Sequence, residues 1–162
     1  MPRRTFLASL TALLSPLLGG KAAEAASAAG NPQWNLSDAE WKRRLSPAAY
    51  QVLRQDGTER PFSSPLNNEK RAGTFHCAGC DLALFSSKAK YESGTGWPSF
   101  WQPLPKAIGT KVDFKLIVPR TEYHCSRCGG HQGHVFGDGP KPTGKRYCNN
   151  GIALTFKPAS KG

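Results

Sequence analysis

Five cysteines divide into four plus one along the 162-residue chain. Two C-x-x-C pairs supply four of these thiols, Cys77 with Cys80 and Cys125 with Cys128, whereas Cys148 stands alone. Four thiolates complete the tetrahedral shell that a structural zinc ion prefers. The two pairs therefore predict one structural zinc ion bound by four cysteines, and they leave the fifth thiol without an evident structural task.

The distance between the two pairs bears on what the metal does. Between Cys80 and Cys125 lie 44 residues, far more than the roughly 15–20 of an ordinary zinc ribbon. This spacing argues against a compact nucleic-acid-binding finger and predicts that the metal ties two distant parts of a larger sheet together. Two redox disulfides are the alternative interpretation. A redox C-x-x-C usually stands singly near a β-α-β pattern, which this sequence does not show, so zinc is favoured.

The lone cysteine is a candidate nucleophile because of its neighbours. In a strand, Arg146, Cys148 and Asn150 would face the same side. A guanidinium there would favour the reactive thiolate and lower the pKa of Cys148, and Asn150 could donate a hydrogen bond. The alternative is a buried, inert cysteine that packs like a small hydrophobe.

Two further segments supply groups that a thiol nucleophile needs. His131 and His134 follow the second cysteine pair, and histidine exchanges protons near neutral pH. Either imidazole could instead be an accessory zinc ligand, although four thiolates already fill the shell. A glycine-rich loop presents the indole of Trp97, for which the alternative is a turn residue that fills the core.

Taken together and in order, these segments resemble the B-type methionine sulfoxide reductases. The matching segments are Gly94-Thr95-Gly96-Trp97-Pro98-Ser99-Phe100, Cys125-x-x-Cys128 with His131, Gly133-His134-Val135-Phe136, and Arg146-Tyr147-Cys148-x-Asn150. The segments 50–54 and 57–62 are similar to that family as well. The resemblance covers about residues 36–157, and several ordered motifs that match together are far more specific than any one of them.

The resemblance implies reduction of the R epimer of methionine sulfoxide, free or in a protein. The Cys148 thiolate would attack the sulfoxide sulfur and become a sulfenic acid as methionine leaves. His134, assisted by His131, would protonate the sulfoxide oxygen, and Trp97 would hold the ε-methyl group of the substrate. The other site residues that it implies are Phe136 for substrate binding and Arg146 and Asn150 for tuning the thiol and orienting the sulfoxide.

The resemblance also bears on how the enzyme is recycled. Many family members place a resolving cysteine in the Gly-x-Gly-Trp-Pro-Ser-Phe loop, at the position that Thr95 occupies here. With four cysteines on zinc, no thiol remains for an intramolecular disulfide with Cys148. We therefore expect a one-cysteine catalyst whose sulfenic acid is reduced by an external thiol, such as a thioredoxin-like protein. The chain departs from the family at Asn149, Gly151 and Gln132, where an aliphatic residue, Ser and Leu are usual.

Two other classes of function fit parts of the sequence. A zinc-containing binding module for nucleic acid or protein fits the basic charge and the cysteine pairs, but it leaves Cys148, the two histidines and Trp97 unexplained. A thiol–disulfide oxidoreductase requires a reactive C-x-x-C, which tightly bound zinc would exclude. The sequence therefore favours the reductase.

The elements that must position these residues are mainly β. Ser37 and Glu40 predict a capping box for a first helix, and Ser46-Pro47 predicts the start of a second helix that Gly57 ends. From Gly73 onward, short β segments alternate with turns. The predicted fold is mainly β, with antiparallel sheets, a short helical N-terminal cap and a structural zinc site.

One predicted strand has the clearest alternation of all. It runs over 111–119, with Val112, Phe114, Leu116 and Val118 on one face and polar residues on the other.

The first thirty residues predict an export signal. Arg3 and Arg4 precede an apolar stretch over 6–18 and small residues up to Gly30, which is the order of a secretory signal. The paired arginines resemble a bacterial twin-arginine signal. The expected boundaries are a signal over 1–28, a linker over 29–36, a catalytic domain over 37–157 and a tail over 158–162. This predicts a periplasmic protein, with a mitochondrial transit peptide as the alternative.

The chain is strongly basic, with a formal net charge of +11 at pH 7. Such a balance raises binding to nucleic acid or an anionic surface as possibilities. The charges are scattered, however, and the one dense basic run beyond the signal is Lys42-Arg43-Arg44. We therefore expect no nucleic-acid partner and no stable membrane association. The expected partners are oxidised proteins that carry methionine-R-sulfoxide and a thioredoxin-like or other thiol reductant, and the expected state is a monomer.

Overall fold

Two short helices open the part of the chain that the structure describes, residues 32–160 of a computed structural model. Helix α1 spans Asp38–Arg44 and helix α2 spans Pro47–Gln55. The predicted capping box is confirmed, because the Ser37 side chain accepts from Glu40 N–H and the Glu40 carboxylate accepts from Ser37 N–H. The sequence predicts that the second helix runs through Arg54 or Gln55, and it ends at Gln55. Its left-handed cap residue is Asp56, with a φ of 50°, rather than the predicted Gly57.

The helices pack through one apolar face onto the sheets. Trp41, Val52 and Leu53 are almost fully buried, and each buried aliphatic side chain of this size contributes about 1.5–3 kcal/mol. The guanidinium carbon of Arg54 lies 4.7 Å from the centre of the Trp41 ring, and its Nη1 donates to the carbonyl of Cys128 at 2.9 Å. The second helix is thereby fixed against the second cysteine pair.

The rest of the described chain forms two antiparallel sheets, which confirms the predicted fold class. The strands are β1 (Gly73–Cys77), β2 (Ala83–Ser86), β3 (Lys90–Tyr91), β4 (Ser99–Phe100), β5 (Ile108–Asp113), β6 (Arg120–Cys125), β7 (His131–Phe136), β8 (Arg146–Asn149) and β9 (Leu154–Pro158). One sheet has the order β2-β1-β9 and the other β3-β4-β8-β7-β6-β5. Strand β8, which carries the lone cysteine, therefore lies between β4 and β7.

An aromatic core joins the two sheets. Phe75 and Phe85 come from the three-stranded sheet, whereas Phe100 and Tyr123 come from the six-stranded sheet. The rings of Phe85 and Phe100 stack with centroids 4.2 Å apart, and Phe75 meets Phe100 edge-on at 5.0 Å. All four side chains are fully buried. These buried ring contacts hold the two sheets together from within the core. Strand β8 therefore rests on a rigid base.

The strand predicted over 111–119 was wrong in its extent. Strand β5 ends at Asp113, and residues 114–119 turn back toward β6. The side chains of Phe114 and Ile117 are 74% and 102% exposed. Strand β5 is at the edge of its sheet, with β6 as its neighbour. The pairing of these two strands ends at Asp113 and Arg120, and no other strand extends it. The alternating pattern therefore falls on a hairpin tip rather than on a buried face.

Several predictions about the chain ends lie outside the described residues. They include the export signal over 1–28 and the first residues of the linker. None of the helices within residues 32–160 is both long and apolar enough to cross a membrane.

Candidate active site

The four paired cysteines come together as the sequence predicts. Their sulfur atoms all lie within 4.8 Å of one another, and all four residues are buried and free of disulfides. The Sγ–Sγ distance is 3.7 Å between Cys77 and Cys128 and 3.4 Å between Cys80 and Cys125. A zinc ion at about 2.3 Å from each thiolate would set sulfurs about 3.8 Å apart. The residues therefore fit one tetrahedral metal ion.

Both cysteine pairs use the same backbone turn. The residue after the second cysteine has a left-handed conformation, with φ of 61° at Asp81 and 68° at Gly129. Its N–H donates back to the carbonyl of the first cysteine, at 2.8 Å to Cys77 and 2.9 Å to Cys125. Cys77 ends β1 and Cys125 ends β6, which belong to different sheets. The metal site thus links two sheets, rather than two parts of one sheet as predicted.

The lone cysteine is positioned by its two neighbouring strands. Across β8, Cys148 is paired with Ser99 of β4 and with His134 of β7. Directly paired residues in an antiparallel sheet present their side chains on the same face, so the His134 imidazole lies beside the thiol. A Cβ atom on Gly133 would come within 1.9 Å of the Cys148 carbonyl. Only glycine therefore allows β7 to approach the catalytic strand this closely.

The thiol of Cys148 is half-buried, and its ionisation differs from the prediction. Burial raises the pKa of Cys148 above its ordinary value of 9.0, because the thiolate loses solvation. The nearby Arg146 guanidinium opposes this shift but does not outweigh it. The expectation that Arg146 lowers this pKa is correct for the charge alone and wrong for the net direction.

His134, the predicted acid–base residue, has a partner that the sequence did not reveal. Its Nε2 lies 2.7 Å from Oδ2 of Asp113, which also accepts from Nη2 of Arg120 at 2.7 Å. Hydrogen bonds from the Lys115 N–H and from His134 hold the pKa of Asp113 well below its usual range. The ionised carboxylate can only accept, so Nε2 carries the proton. Burial lowers the pKa of His134 below 6.5, and Asp113 opposes this shift.

The other histidine of the predicted site, His131, is buried next to His134. His131 is 2% exposed, and its ring centroid lies 5.5 Å from that of His134. Nδ1 of His131 donates to Oε1 of the buried Glu122 at 2.8 Å. Burial would raise the pKa of Glu122, but hydrogen bonds from His124 and His131 outweigh it and lower that pKa to about 2. Four thiols already form the metal cluster, and His131 pairs with a carboxylate instead.

Glu59 connects the aromatic loop to the catalytic strand. Its carbonyl accepts from the indole Nε1 of Trp97 at 3.2 Å, and its N–H donates to Oδ1 of Asn150 at 3.0 Å. Its carboxylate accepts from the N–H groups of Gly151 and Ile152. Both the oxygen and the nitrogen of the Asn150 side-chain amide are therefore hydrogen-bonded, because Nδ2 also donates to the backbone carbonyl of Gln132 at 3.0 Å. Asn150 is a framework residue of the pocket wall.

Arg146 lies at the flank of the site and is held by an ion pair. Its Nε and Nη2 donate to the two carboxylate oxygens of Asp138 at 2.9 and 2.8 Å. The guanidinium carbon lies 4.3 Å from the centre of the Phe136 ring. This fork of two parallel bonds fixes the charge near Cys148. The pocket that contains Cys148 is lined by Arg120 rather than by Arg146.

The residues that depart from the family pattern contact one another. Nδ2 of Asn149 donates to Oε1 of Gln132 at 3.3 Å, and Nε2 of Gln132 donates to Sγ of Cys77 at 3.4 Å. Tyr123 donates to Oδ1 of Asn149 at 2.7 Å. A buried polar network therefore runs from a metal ligand to the catalytic strand. At Gly151, a Cβ atom would lie 1.9 Å from Oγ of Ser64, which explains the glycine.

A chain of hydroxyl groups approaches the thiol from the other side. Oγ1 of Thr95 lies 4.0 Å from Sγ of Cys148 and 2.8 Å from Oγ of Ser93. Oγ of Ser93 lies 2.7 Å from Oγ of Ser99, which donates to the carbonyl of Trp97. These bonds fix the glycine-rich loop against strand β8.

Five of the predicted site residues line one pocket of about 120 Å³: Trp97, His134, Phe136, Cys148 and Asn150. Thr58 and Arg120 complete its rim. The lining combines the aromatic rings of Trp97 and Phe136 with polar side chains, so the pocket suits a small group with one apolar and one polar substituent. His131 lines an adjoining cleft, and Arg146 lies outside the pocket wall.

Sequence reasoning missed the carboxylates that support the site. These residues are Glu59, Asp113, Glu122 and Asp138, together with Arg120. Asp113 is paired with Arg120, 7 residues away, and Glu59 with Asn150, 91 residues away, and the partners follow no regular local spacing. Glu122 stands among other polar residues in the β6 sequence RTEYHC, so no apolar pattern indicates its burial.

Comparison of the chain with known proteins identifies the family to which it is similar. Residues 45–158 match the family described as the SelR domain. The chain is 48% identical to the peptide methionine sulfoxide reductase MsrB of Agrobacterium fabrum over 129 residues, 79% of this chain and 96% of that protein. It is 53% identical to the protein of the same name from Methanosarcina barkeri over 127 residues, 78% of this chain and 89% of that protein. It is 49% identical over 128 residues to the chloroplastic peptide methionine sulfoxide reductase B1 of Arabidopsis thaliana, 78% of this chain and 63% of that protein.

The described chain is thus a mainly β fold in which one thiol lies beside an imidazole, apart from four clustered thiols that could hold one metal ion. The chain belongs to the MsrB family of peptide methionine sulfoxide reductases. This confirms the resemblance that the ordered motifs indicate. The chain spans most of the bacterial and archaeal relatives and about 63% of the length of the chloroplastic one.

Proposed function

We propose that this chain reduces methionine-R-sulfoxide, in proteins and as the free amino acid, with Cys148 as the nucleophile. Its family supports methionine sulfoxide reduction; the epimer, the residue roles and the recycling are our proposal. One observation carries it. The thiol of Cys148, the imidazole of His134 and the ring of Trp97 share a single pocket of about 120 Å³.

In the proposed reaction, the Cys148 thiolate attacks the sulfoxide sulfur while the His134 imidazolium protonates the sulfoxide oxygen. The methionine sulfur then loses both its bond to that oxygen and its new bond to the Cys148 sulfur, as the hydroxyl passes to the cysteine sulfur; methionine leaves and Cys148 remains as a sulfenic acid. The substrate sulfur gains two electrons and the cysteine sulfur loses two. Asp113 stabilises the imidazolium through its 2.7 Å hydrogen bond, as a carboxylate does in many acid–base pairs.

The shape of the pocket supports selection of one epimer. The sulfoxide sulfur carries an oxygen, a methyl group and the rest of the side chain. The oxygen would point to His134, the methyl group to the aromatic wall of Trp97 and Phe136, and the side chain to solvent. Three fixed directions accommodate only one hand of the sulfur.

Recycling would use thiols from outside the chain. The hydroxyl of Thr95, rather than a thiol, lies near Cys148. A first external thiol would form a mixed disulfide with Cys148 and release water, and a second thiol would free the enzyme. A thioredoxin-like protein or another thiol reductant supplies such groups.

Mass spectrometry after one equivalent of substrate, without reductant, tests the nucleophile and the one-cysteine mechanism together. The parent chain gains one oxygen on Cys148, and Cys148→Ser gains none. An intramolecular disulfide that involves Cys148 would contradict the proposal. So would oxygen on any of the paired cysteines.

We also propose that the four paired cysteines hold one zinc ion. Four thiolates would close its shell, so the ion would stabilise the fold and leave no open position for substrate. Gln132 would support Cys77 from outside the shell through its 3.4 Å hydrogen bond.

For the whole chain, we propose export to the periplasm. The paired arginines, apolar stretch and small residues of segment 1–28 support a twin-arginine signal. A linker over 29–36 would then lead to a monomeric catalytic domain over 37–157 and a tail over 158–162. Its partners would be oxidised proteins and a thiol reductant, without nucleic acid or stable membrane association.

A further inference from the structure

We propose that the tip between β5 and β6 holds the substrate polypeptide beside the catalytic pocket. This apolar hairpin comprises Val112, Phe114, Leu116, Ile117 and Val118, and its occupant is an extended, unfolded segment with large apolar residues next to the methionine sulfoxide. The inference rests on the proposed function, because it names the substrate class of the same site.

The hairpin concentrates the exposed apolar surface of the described chain. Of the six large apolar side chains exposed within residues 32–160, five lie between 112 and 118. Their exposed fractions run from 57% at Leu116 to 102% at Ile117. Large apolar side chains exposed together in one short segment indicate an interaction site in a protein that is otherwise rich in charge.

The base of the hairpin adjoins the catalytic pocket through a cleft of about 210 Å³, which Val112 and Phe114 line together with charged side chains. Leu116, Ile117 and Val118 lie beyond the lining of this cleft, at the tip of the hairpin. Thr58, Arg120 and His134 line both this cleft and the pocket that holds Cys148. A polypeptide whose sulfoxide enters the pocket could therefore leave along the cleft and reach the hairpin.

The charges of the cleft are paired with each other, which favours an uncharged occupant. Lys115 lies 3.2 Å from Asp56, and Lys111 lies 3.8 Å from Asp56 and 3.6 Å from Glu122. Arg120 is paired with Asp113 at 2.7 Å. Because these cations already have acidic partners, the cleft offers little to a phosphate-rich surface or a nucleic acid.

The chemistry of the lesion also favours an apolar, unfolded partner. Oxidation converts a flexible apolar methionine into a polar residue, which disrupts the core that holds it. The segment that then unfolds exposes the apolar neighbours of that methionine. Such neighbours would bury surface against Phe114, Leu116 and Ile117, at about 25 cal/mol per Å².

The test compares three substrates of the R epimer: N-acetyl-methionine sulfoxide methylamide, a peptide with leucine and phenylalanine beside the sulfoxide, and a peptide of equal length with serine and glycine there. The double variant Leu116→Ser with Ile117→Ser removes apolar contact. The matched control, Leu116→Met with Ile117→Val, keeps the apolar surface. Circular dichroism and metal content establish that both variants retain the parent fold.

For the apolar peptide, we expect the serine variant to have a kcat/KM about tenfold below that of the parent, because its KM rises. A loss of about 60 Å² of apolar contact implies a change of this size. The activity of the serine variant on the small compound and the polar peptide stays at the parent level, and the control variant matches the parent throughout. Equal loss on all three substrates, or no loss on any, would overturn it. Two other results would also overturn it. One is a parent dimer that the serine variant loses, and the other is binding to phosphatidylglycerol vesicles that the serine variant loses while its activity on the apolar peptide is unchanged. Failure of the parent chain on all three substrates would instead refute the proposed function.

Discussion

Oγ1 of Thr95 lies 4.0 Å from Sγ of Cys148. The resemblance to the family implies that many members carry a resolving thiol at this position of the loop. The loop is fixed in this position by the hydroxyls of Ser93 and Ser99. A thiol in place of the Thr95 hydroxyl would therefore lie beside Cys148.

The variant Thr95→Cys should restore an intramolecular resolving step. A disulfide requires a sulfur–sulfur bond of about 2.05 Å, which a small side-chain rotation can supply from the present contact. After one equivalent of substrate, mass spectrometry should find the variant lighter by two hydrogens and the parent heavier by one oxygen. The control is Ser93→Cys, because the Ser93 hydroxyl bonds Thr95 and Ser99 rather than Cys148. A stable sulfenic acid in Thr95→Cys would show that the loop cannot bring the two sulfurs together.

The pH dependence of kcat/KM should be a broad bell with a flat top. The reactive form has the Cys148 thiolate, whose pKa is raised above 9.0, and the His134 imidazolium, whose pKa is lowered below 6.5. Between these values the thiolate fraction rises as the imidazolium fraction falls, so their product is constant. Below the pKa of His134 the thiolate is lost, and above the pKa of Cys148 the imidazolium is lost.

Asp113→Asn tests the assignment of the acidic limb. Removal of this charge should lower the pKa of His134 further, because Asp113 now opposes the effect of burial. The acidic limb should move to lower pH, and the plateau should fall about tenfold for each unit of that movement. A limb that stays in place while the plateau falls would assign it to a group other than His134.

The hydrogen bond between Gln132 and Asn149 should appear as an energetic coupling. Gln132→Leu leaves one buried N–H of Asn149 without its partner, and Asn149→Leu leaves Oε1 of Gln132 without its partner, each at a cost of about 1–3 kcal/mol. The double variant should cost less than the sum, and adding Tyr123→Phe should recover more, because the Tyr123 hydroxyl bonds Asn149. Urea unfolding in excess zinc measures the free energies of unfolding. Additive costs would mean that the two amides do not depend on each other.

Metal content should follow the paired cysteines and not the lone one. Elemental analysis should find one zinc per parent chain and per Cys148→Ser chain, and less in Cys125→Ser. Loss of the ion should lower Tm, because Cys77 and Cys125 end strands of different sheets. Zinc loss on substitution of Cys148 would contradict the division of the five cysteines.

The parts of the fold that the sequence predicts well are those with local causes. The capping box of Ser37 and Glu40 depends on residues within four positions and is found as predicted. The mainly β fold follows from short alternating segments and frequent turns. Cys148 and His134 are candidates from their residue types and neighbours as well as from the resemblance, and strand pairing sets them side by side.

The rest depends on contacts distant in sequence. The pairing of His134 with Asp113 spans 21 residues, and that of Asn150 with Glu59 spans 91, so neither could be read from spacing. Residues 114–118 show the reverse error. Their alternation suits a strand, but β5 is an edge strand and no neighbour covers them.

The central claim is that Cys148 reduces the R epimer of methionine sulfoxide. The most direct measurement assays both epimers of N-acetyl-methionine sulfoxide with dithiothreitol, using the parent chain and Cys148→Ser. The account predicts turnover of the R epimer alone by the parent and none by the variant. Turnover of the S epimer by the parent, or retained turnover by Cys148→Ser, would contradict it.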